Sequence, residues 1–320
     1  MSRIFALLAC LALACAASAA ETSYPNRTVK IIVPFPPGGT SDTIARMVAT
    51  DLQAQFGQPF IIENRAGGGT LIGTMAAARS EPDGYTLLWL TPPFVINPSL
   101  LAAAHYNPAK DFVPIVDVAE VPLAMIVPAA SPFKSLQDLV NAAKEKPGAL
   151  NYGSSGVGGS PHLATELFSS LSKIKLTHVP YSGSAPAVMA LVAGQTDLVF
   201  DTVFLVTPQV TSGNAHALVQ TGAERSPLLP DVPTLKEAGF PGQQVSSWFS
   251  LAAPAHTPPE VIAKLNAAVN KTIASSGFRE LVIKQGAGTV GGTPADSAAH
   301  LAAEMSKWSK VIQEASIKTQ

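Results

Sequence analysis

Residues 29–42 read Val29-Lys30-Ile31-Ile32-Val33-Pro34-Phe35-Pro36-Pro37-Gly38-Gly39-Thr40-Ser41-Asp42. The β-branched run Val29 to Val33 is short and stops at Pro34, as a buried strand entering a loop does. The two glycines lead into Thr40-Ser41-Asp42 and a helical stretch to about Gln55, broken by Gly57-Gln58-Pro59. Further along, Phe60-Ile61-Ile62-Glu63 gives a second strand and Asn64 to Gly69 a second glycine loop. Thr70 or Leu71 starts a helix that runs to about Arg79, and Pro82-Asp83-Gly84 turns into a third strand, Tyr85 to Leu90. Strand, glycine-rich loop, helix and strand in alternation is a βαβ pattern with a parallel sheet.

The same order returns later. Leu123 to Val127 reads as a strand, Ser135 to Lys146 as a helix closed by Pro147-Gly148, and Asn151-Tyr152 leads into Gly153-Ser154-Ser155-Gly156-Val157-Gly158-Gly159-Ser160 and a helix from Pro161. Proline suits that first helical turn, because its missing N–H had no partner there. Leu198 to Asp201, Ala217 to Val219 and Ser247 to Ala252 read as extended. Pro258-Pro259-Glu260 starts an amphipathic helix with Val261, Leu265, Ala268, Val269 and Ile273 on one face, and a last helix runs from about Pro294 to Ile317. Two α/β units without a flexible linker predict domains joined by strands that pass between them, with Val116 to Pro122 and Val245 to Leu251 as the candidate crossings. The expected division is residues 24–122 plus 246–320 for a discontinuous first domain and 123–245 for the second.

Composition narrows the partners. The 320 residues contain 21 Lys+Arg against 22 Asp+Glu, 13% charged residues where an ordinary domain has about 25%, and 47% hydrophobic residues. A net charge of −1 argues against nucleic acid or an anionic membrane, each of which needs a basic face. The apolar content excludes a disordered chain, and the 24 Gly and 27 Pro are dispersed rather than periodic.

The N-terminus opens Met1-Ser2-Arg3, continues apolar from Ile4 to Ala17, and passes through Ala17-Ser18-Ala19-Ala20 before the first acid, Glu21. A basic tip, a short apolar run and small residues at its end describe a secretory signal peptide, residues 1–20. Cys10 and Cys15 both lie inside it, so cleavage after Ala19 or Ala20 leaves a chain without disulfides, thiolate metal sites or a cysteine nucleophile. A lipid anchor at Cys15 is the alternative, with a poor lead-in at Ala12-Leu13-Ala14.

Three glycine loops follow strands and precede helices, where an open α/β sheet places its ligands against helix N-termini. The loops are poor in Lys and Arg apart from Arg65, so anion binding there rests on backbone amides and hydroxyls. Four or five hydrogen bonds to a charged group give about 6–15 kcal/mol before binding costs, against roughly 8 kcal/mol for micromolar affinity. Gly67-Gly68-Gly69 lacks G-x-G-x-x-G spacing, the loop at Gly153 to Ser160 lacks a Walker lysine, and Val157 breaks the G-x-S-x-G elbow at Ser155. Ser155, His162 and Asp201 could compose a hydrolase triad, His162 and Glu166 have the i, i+4 spacing of metal ligands, and Asp42 with Asp201 could be an acid pair. The structural alternatives are that His162 caps a helix or lines a pocket, Asp42 braces a helix start, and Asp201 orients loops. Tyr181 either packs its loop or touches ligand, and Trp248 suits hinge or core packing.

The mature N-terminus, Tyr24-Pro25 with residues 29–42, resembles the Bug-type receptors, the periplasmic solute-binding components of tripartite tricarboxylate transporters. The likeness continues through Glu63-Asn64-Arg65-Ala66-Gly67-Gly68-Gly69, Pro82-Asp83-Gly84-Tyr85-Thr86-Leu87, Ile96-Asn97-Pro98-Ser99-Leu100, Asn151-Tyr152-Gly153-Ser154 through His162, Val179-Pro180-Tyr181 with Ala185-Pro186-Ala187, Gly194-Gln195 with Asp197 and Asp201, and Pro230-Asp231-Val232-Pro233-Thr234 with Glu237-Ala238-Gly239. It spans the mature chain in order.

The resemblance implies an α/β, two-domain periplasmic binding protein of type II-like architecture, with ligand in the interdomain cleft. The implied function is capture of a small carboxylated solute (a di- or tricarboxylate, an amino acid or an aromatic acid) and its delivery to membrane transporter subunits. No enzyme activity, metal or cofactor is expected, and the working unit is a monomer in the periplasm. Signalling rather than uptake is the alternative use of the same site. By position, the first carboxylate-gripping loop is Phe35, Pro37, Gly38, Gly39, Thr40 and Asp42; the second is Ser154, Ser155, Gly156, Gly158, Gly159 and His162; and Ala66, Gly67, Tyr181 and Asp201 line the cleft. The chain departs from the family at Ser182-Gly183, at Thr202 after Asp201, and at Trp89-Leu90-Thr91-Pro92-Pro93, where the distal part of a ligand would lie.

Overall fold

The computed structural model describes residues 24–240 and 245–314. The expected signal peptide and both cysteines lie outside the described residues, and no helix within them is long and apolar enough to cross a membrane. Strand β1 (Val29–Val33) pairs in parallel with β2 (Phe60–Asn64) on one side and with β3 (Thr86–Leu90) on the other. Further along the sheet, β5 (Asn151–Ser154) sits in the same way between β6 (Thr177–Pro180) and β7 (Leu198–Thr202).

Two antiparallel strands join these halves. β4 (Phe112–Pro128) runs for 17 residues, joining the Val116 to Pro122 crossing and the Leu123 to Val127 strand expected from sequence into one strand that starts earlier, at Phe112. Its first part, to Pro122, pairs with β9 (Ser246–Pro254) and β10 (Gly288–Gly291); from Leu123 onward it pairs with β7 and β8 (Ala215–Gln220). Register shifts between Pro114 and Val116 and between Asp117 and Ala119 bend the strand just before its partners change. Asp117, between these bulges, accepts hydrogen bonds from Ser250 of β9 and from Ser297 and His300, the last two at 2.9 and 3.0 Å. Ser297 and His300 belong to the C-terminal helix, so that helix is pinned to both crossing strands.

Alternate residues of each strand feed opposite apolar layers, as the twofold side-chain period requires. Ile31, Val33, Leu87, Trp89, Ala124, Ile126 and Val199 face one layer, and Ile32, Leu88, Leu90, Leu123, Met125 and Phe200 the other. Helices α1 (Thr40–Phe56), α6 (Ser184–Val192), α7 (Val203–Thr211), α8 (Pro259–Ala274) and α9 (Ser276–Lys284) cover the first layer. The second is covered by α2 (Leu71–Ala78), α3 (Pro93–Leu100), α4 (Leu136–Glu145), α5 (Ser160–Ser172) and α10 (Pro294–Glu314). In α1, Ile44, Ala45, Val48, Ala49 and Leu52 are buried at helical spacing, each large side chain contributing about 1.5–3 kcal/mol. The face read on α8 is buried as expected.

Helices α3, α6, α7 and α9 were not read from sequence. The first begins at Pro93, so the proline-rich segment after β3 enters a helix rather than forming a turn.

Candidate functional site

In each half the first strand lies between its two successors, so the chain reverses direction at the carboxyl ends of β1 and β5, where such sheets open a crevice. The loops leaving those strands, residues 34–39 and 155–159, face each other. Thr40 Oγ1 lies 2.7 Å from Thr202 Oγ1, joining the start of α1 to the end of β7. A Cβ on Gly183 would stand 3.3 Å from Pro36 Cδ, and one on Gly158 only 2.6 Å from Asn97 Oδ1. These approaches draw the loops of the two halves into one wall.

That wall surrounds a cavity of about 50 Å³ lined by Phe35, Pro37, Gly39, Thr40, Ser155, Gly159 and Asp201 among the expected residues. Ser41, Thr91, Ser160, Ser184, Thr202, Ser247 and Phe249 also line it. A second cavity of about 290 Å³ takes Ala66, Gly67, Gly156 and Tyr181, and shares Phe35, Pro36, Pro93, Ser155 and Gly159 with the first. Neither Gly39 nor Gly159, the residues preceding α1 and α5, supplies a side-chain cap. The first-turn N–H groups of both helices have no intrahelical acceptor and are open to an anion. Among the described residues no lysine or arginine lines either cavity. Arg65 is held by Glu63 at 2.5 Å and Arg46 by Asp42 at 2.9 Å.

Five expected residues, Gly38, Asp42, Ser154, Gly158 and His162, stand behind the cavity walls. Asp42 Oδ2 accepts from Gly38 N and Arg46 Nε, both at 3.0 Å, and its Oδ1 accepts from Asn64 Nδ2 at 2.9 Å. Burial works against its ionisation, but the Arg46 guanidinium, the Asn64 amide and the Gly38 N–H hold the carboxyl below its ordinary range. Asn64 Nδ2 also donates to Phe35 O at 3.0 Å, so Asp42 and Asn64 together shape the first loop.

The second loop has a different brace. Gly158 N donates to His162 Nδ1 at 3.1 Å, and the His162 ring stacks on His178 at 4.2 Å. His178 stacks in turn on Tyr152 at 4.8 Å, its Nε2 lies 2.6 Å from Ser154 Oγ, and Tyr152 donates to Glu166. Burial pushes His162 down to about 3 and His178 to about 4, so both rings are neutral.

The geometry decides several alternatives. His162 caps its loop rather than serving Ser155, and Asp201 Oδ1 accepts from Thr202 N at 2.7 Å, so the three residues do not form a relay. Glu166 is engaged by Tyr152, and no group of three or more metal-capable side chains exists among the described residues. Trp248 is core, its Nε1 donating to Glu304 at 3.0 Å. Thr91 lies in the segment after β3 expected near the distal part of a ligand, while Ser184 follows β6, and applying the strand-end rule there would have found it. Ser247 and Phe249 lie on a crossing strand and carry no local signal.

Residues 44–317 match the sequence profile of the tripartite tricarboxylate transporter family receptors. The chain belongs to this family. It is therefore a solute-binding receptor and not an enzyme, and the Bug-type likeness of its motifs is borne out. R. palustris Rpa4515, solved with adipate, is 37% identical with a TM-score of 0.89, the match covering 92% of this receptor and 99% of that chain. The periplasmic binding protein BugD is 32% identical with a TM-score of 0.88, covering 93% and 100% of the two chains. MatC from Rhodopseudomonas palustris, with bound malate, is 35% identical with a TM-score of 0.86, covering 90% and 100%. The α/β receptor fold expected from sequence is the fold of these proteins.

Proposed function

We propose that this receptor captures a small organic carboxylate between a lobe of residues 24–122 plus 246–320 and a lobe of residues 123–245. The uncapped first turns of α1 and α5 supply amides from the Gly39 and Gly159 loops, and Thr40, Ser155 and Ser160 supply hydroxyls. Gly38, Asp42, Ser154, Gly158 and His162 hold those loops in shape. The distal part of the solute extends into the larger chamber beside Ala66, Gly67, Gly156 and Tyr181. The observation that carries this reading is the pair of uncapped helix ends opening on one cavity without a cation in its wall. Family neighbours solved with adipate and with malate support the ligand class.

Residues 1–20 act as a cleaved export signal, and the monomeric receptor works in the periplasm, passing its solute to the membrane subunits of a tripartite transporter. The protein takes no cofactor or metal. Hinge bending at the two crossing strands opens and closes the cleft.

Calorimetry and thermal melting with mono-, di- and tricarboxylates, amino acids and aromatic acids test the reading. At least one carboxylate should raise the melting temperature by linkage and give binding heat. Gly39 has extended backbone and open space where a Cβ would stand, so Gly39→Val should fold with an unchanged circular dichroism spectrum. The added side chain enters the cavity and should abolish that binding. A silent panel, or full affinity in Gly39→Val, overturns the site.

A further inference from the structure

Carboxylate capture by amides and hydroxyls leaves one wall group unused. Asp201 is the only ionisable side chain among the described residues lining the 50 Å³ cavity, and it has no solvent exposure. Its Oδ1 accepts from the N–H and hydroxyl of Thr202, at 2.7 and 3.3 Å, while Oδ2 is buried with no hydrogen-bond partner. The Ser184 hydroxyl also favours the ionised form. A buried carboxylate oxygen with nothing to accept is costly, and native structures rarely leave one so.

The ionisable side chains on neighbouring elements are already engaged. Asp42 of α1 is bound by Arg46, His162 of α5 by Gly158, and Asp117 of β4 by His300. A donor for Oδ2 has to come from outside these side chains, and a bound ligand is the candidate the cavity offers. That donor must also arrive close to the docked carboxylate. Thr202, which follows Asp201, is hydrogen-bonded to Thr40 of the α1 first turn, so Asp201 and the α1 first turn line the same 50 Å³ cavity, which holds only a few atoms. A bare second carboxylate is excluded there by like-charge repulsion.

We propose that Asp201 is a specificity residue whose Oδ2 accepts a hydrogen bond from a hydroxyl or ammonium group beside the ligand's docked carboxylate, so that the receptor prefers 2-hydroxy and 2-amino carboxylates to the unsubstituted acids. This rests on the carboxylate-receptor reading and extends it to the group adjoining the carboxylate.

Titration calorimetry of the wild type and Asp201→Asn at neutral pH, with matched sets of acids, tests the assignment. The sets are succinate, malate and aspartate; glutarate, 2-hydroxyglutarate and glutamate; and phenylacetate, mandelate and phenylglycine. In every set that binds, a donor-bearing member should bind the wild type about ten-fold or more tightly than the unsubstituted acid. The hydroxy and amino members separate the two kinds of donor. Asp201→Asn keeps the acceptor for Thr202 and turns an NH₂ toward the ligand, and should bring the ratio to about two or less. Wild-type ratios below about three, or ratios that Asp201→Asn leaves unchanged, overturn the role of Asp201 while the carboxylate site stands. Absence of binding by all nine acids overturns the role of Asp201, and the carboxylate site falls with it only if the wider panel above is silent too. The wild-type ratios suffice if the variant does not fold.

Discussion

Burial pushes the Asp201 carboxyl from 3.8 up to about 6, against the opposing help of the Ser184 hydroxyl and the Thr202 N–H. A carboxyl whose folded pKa is raised contributes stability that is fully present below its unfolded value and is lost as pH rises through the folded one. The window here is about 3.8 to 6, and the loss amounts to roughly 3 kcal/mol. Urea unfolding of the ligand-free receptor should therefore find Asp201→Asn more stable than wild type at about pH 7.5 by up to that amount, with the difference closing near pH 4. An equal difference at both pH values would show that ionisation is not the source. Asp201 also illustrates what a sequence can disclose of a site. Its place at a strand end was legible, but its free oxygen depends on Thr202 taking the other one, a matter of side-chain direction. Asp42 and His162 show the reverse case: both were expected to grip the ligand, and both turn polar atoms to the loop amides of Gly38 and Gly158.

Strands bounded by glycine and proline were readable because β-branched runs and breakers mark them locally. β1, β2, β3, β5 and β7 stand within a residue or two of where the sequence puts them. Helices α6 and α7 were missed because both are short and rich in alanine or valine, so no polar face gives a period; proline lies inside α7. β4 was read as two pieces, Val116 to Pro122 and Leu123 to Val127, because its two parts answer to different partners. The loop before α5 makes a prediction of its own. Gly158 has φ +78° and its missing Cβ would stand 2.6 Å from Asn97 Oδ1, an oxygen buried without a partner on α3. Asn97 cannot swing away freely, since its Nδ2 donates to Gly69 O at 2.6 Å and to Thr70 Oγ1 at 3.2 Å. Gly158→Ala should therefore push the second loop off α3 and weaken the best-binding carboxylate about ten-fold or more, on the order of 1–3 kcal/mol of strain. Calorimetry measures the affinity, and small-angle scattering with ligand present should show a larger radius of gyration. Unchanged affinity would mean that the two loops do not need this approach.

At the scale of the molecule, the two halves exchange partners along β4 and meet through the Thr40 and Thr202 hydroxyls, while among the described residues no lysine or arginine lines the cavities. The latch is made of two neutral groups, and the proposed anion seat is made of backbone dipoles and hydroxyls rather than of charged side chains. Surface ion pairs fade as ionic strength rises, because the Debye length shrinks from about 10 Å at 0.1 M to about 3 Å at 1 M. This receptor's dissociation constant should change less than about three-fold over that range, where a site built on exposed lysines would lose far more. Nor does the chain, with a net charge of −1, draw anions toward itself over long distances. Its capture rate should stay near that of an unsteered encounter, and a bacterium using it keeps the same grip on its solute in fresh water and in brine.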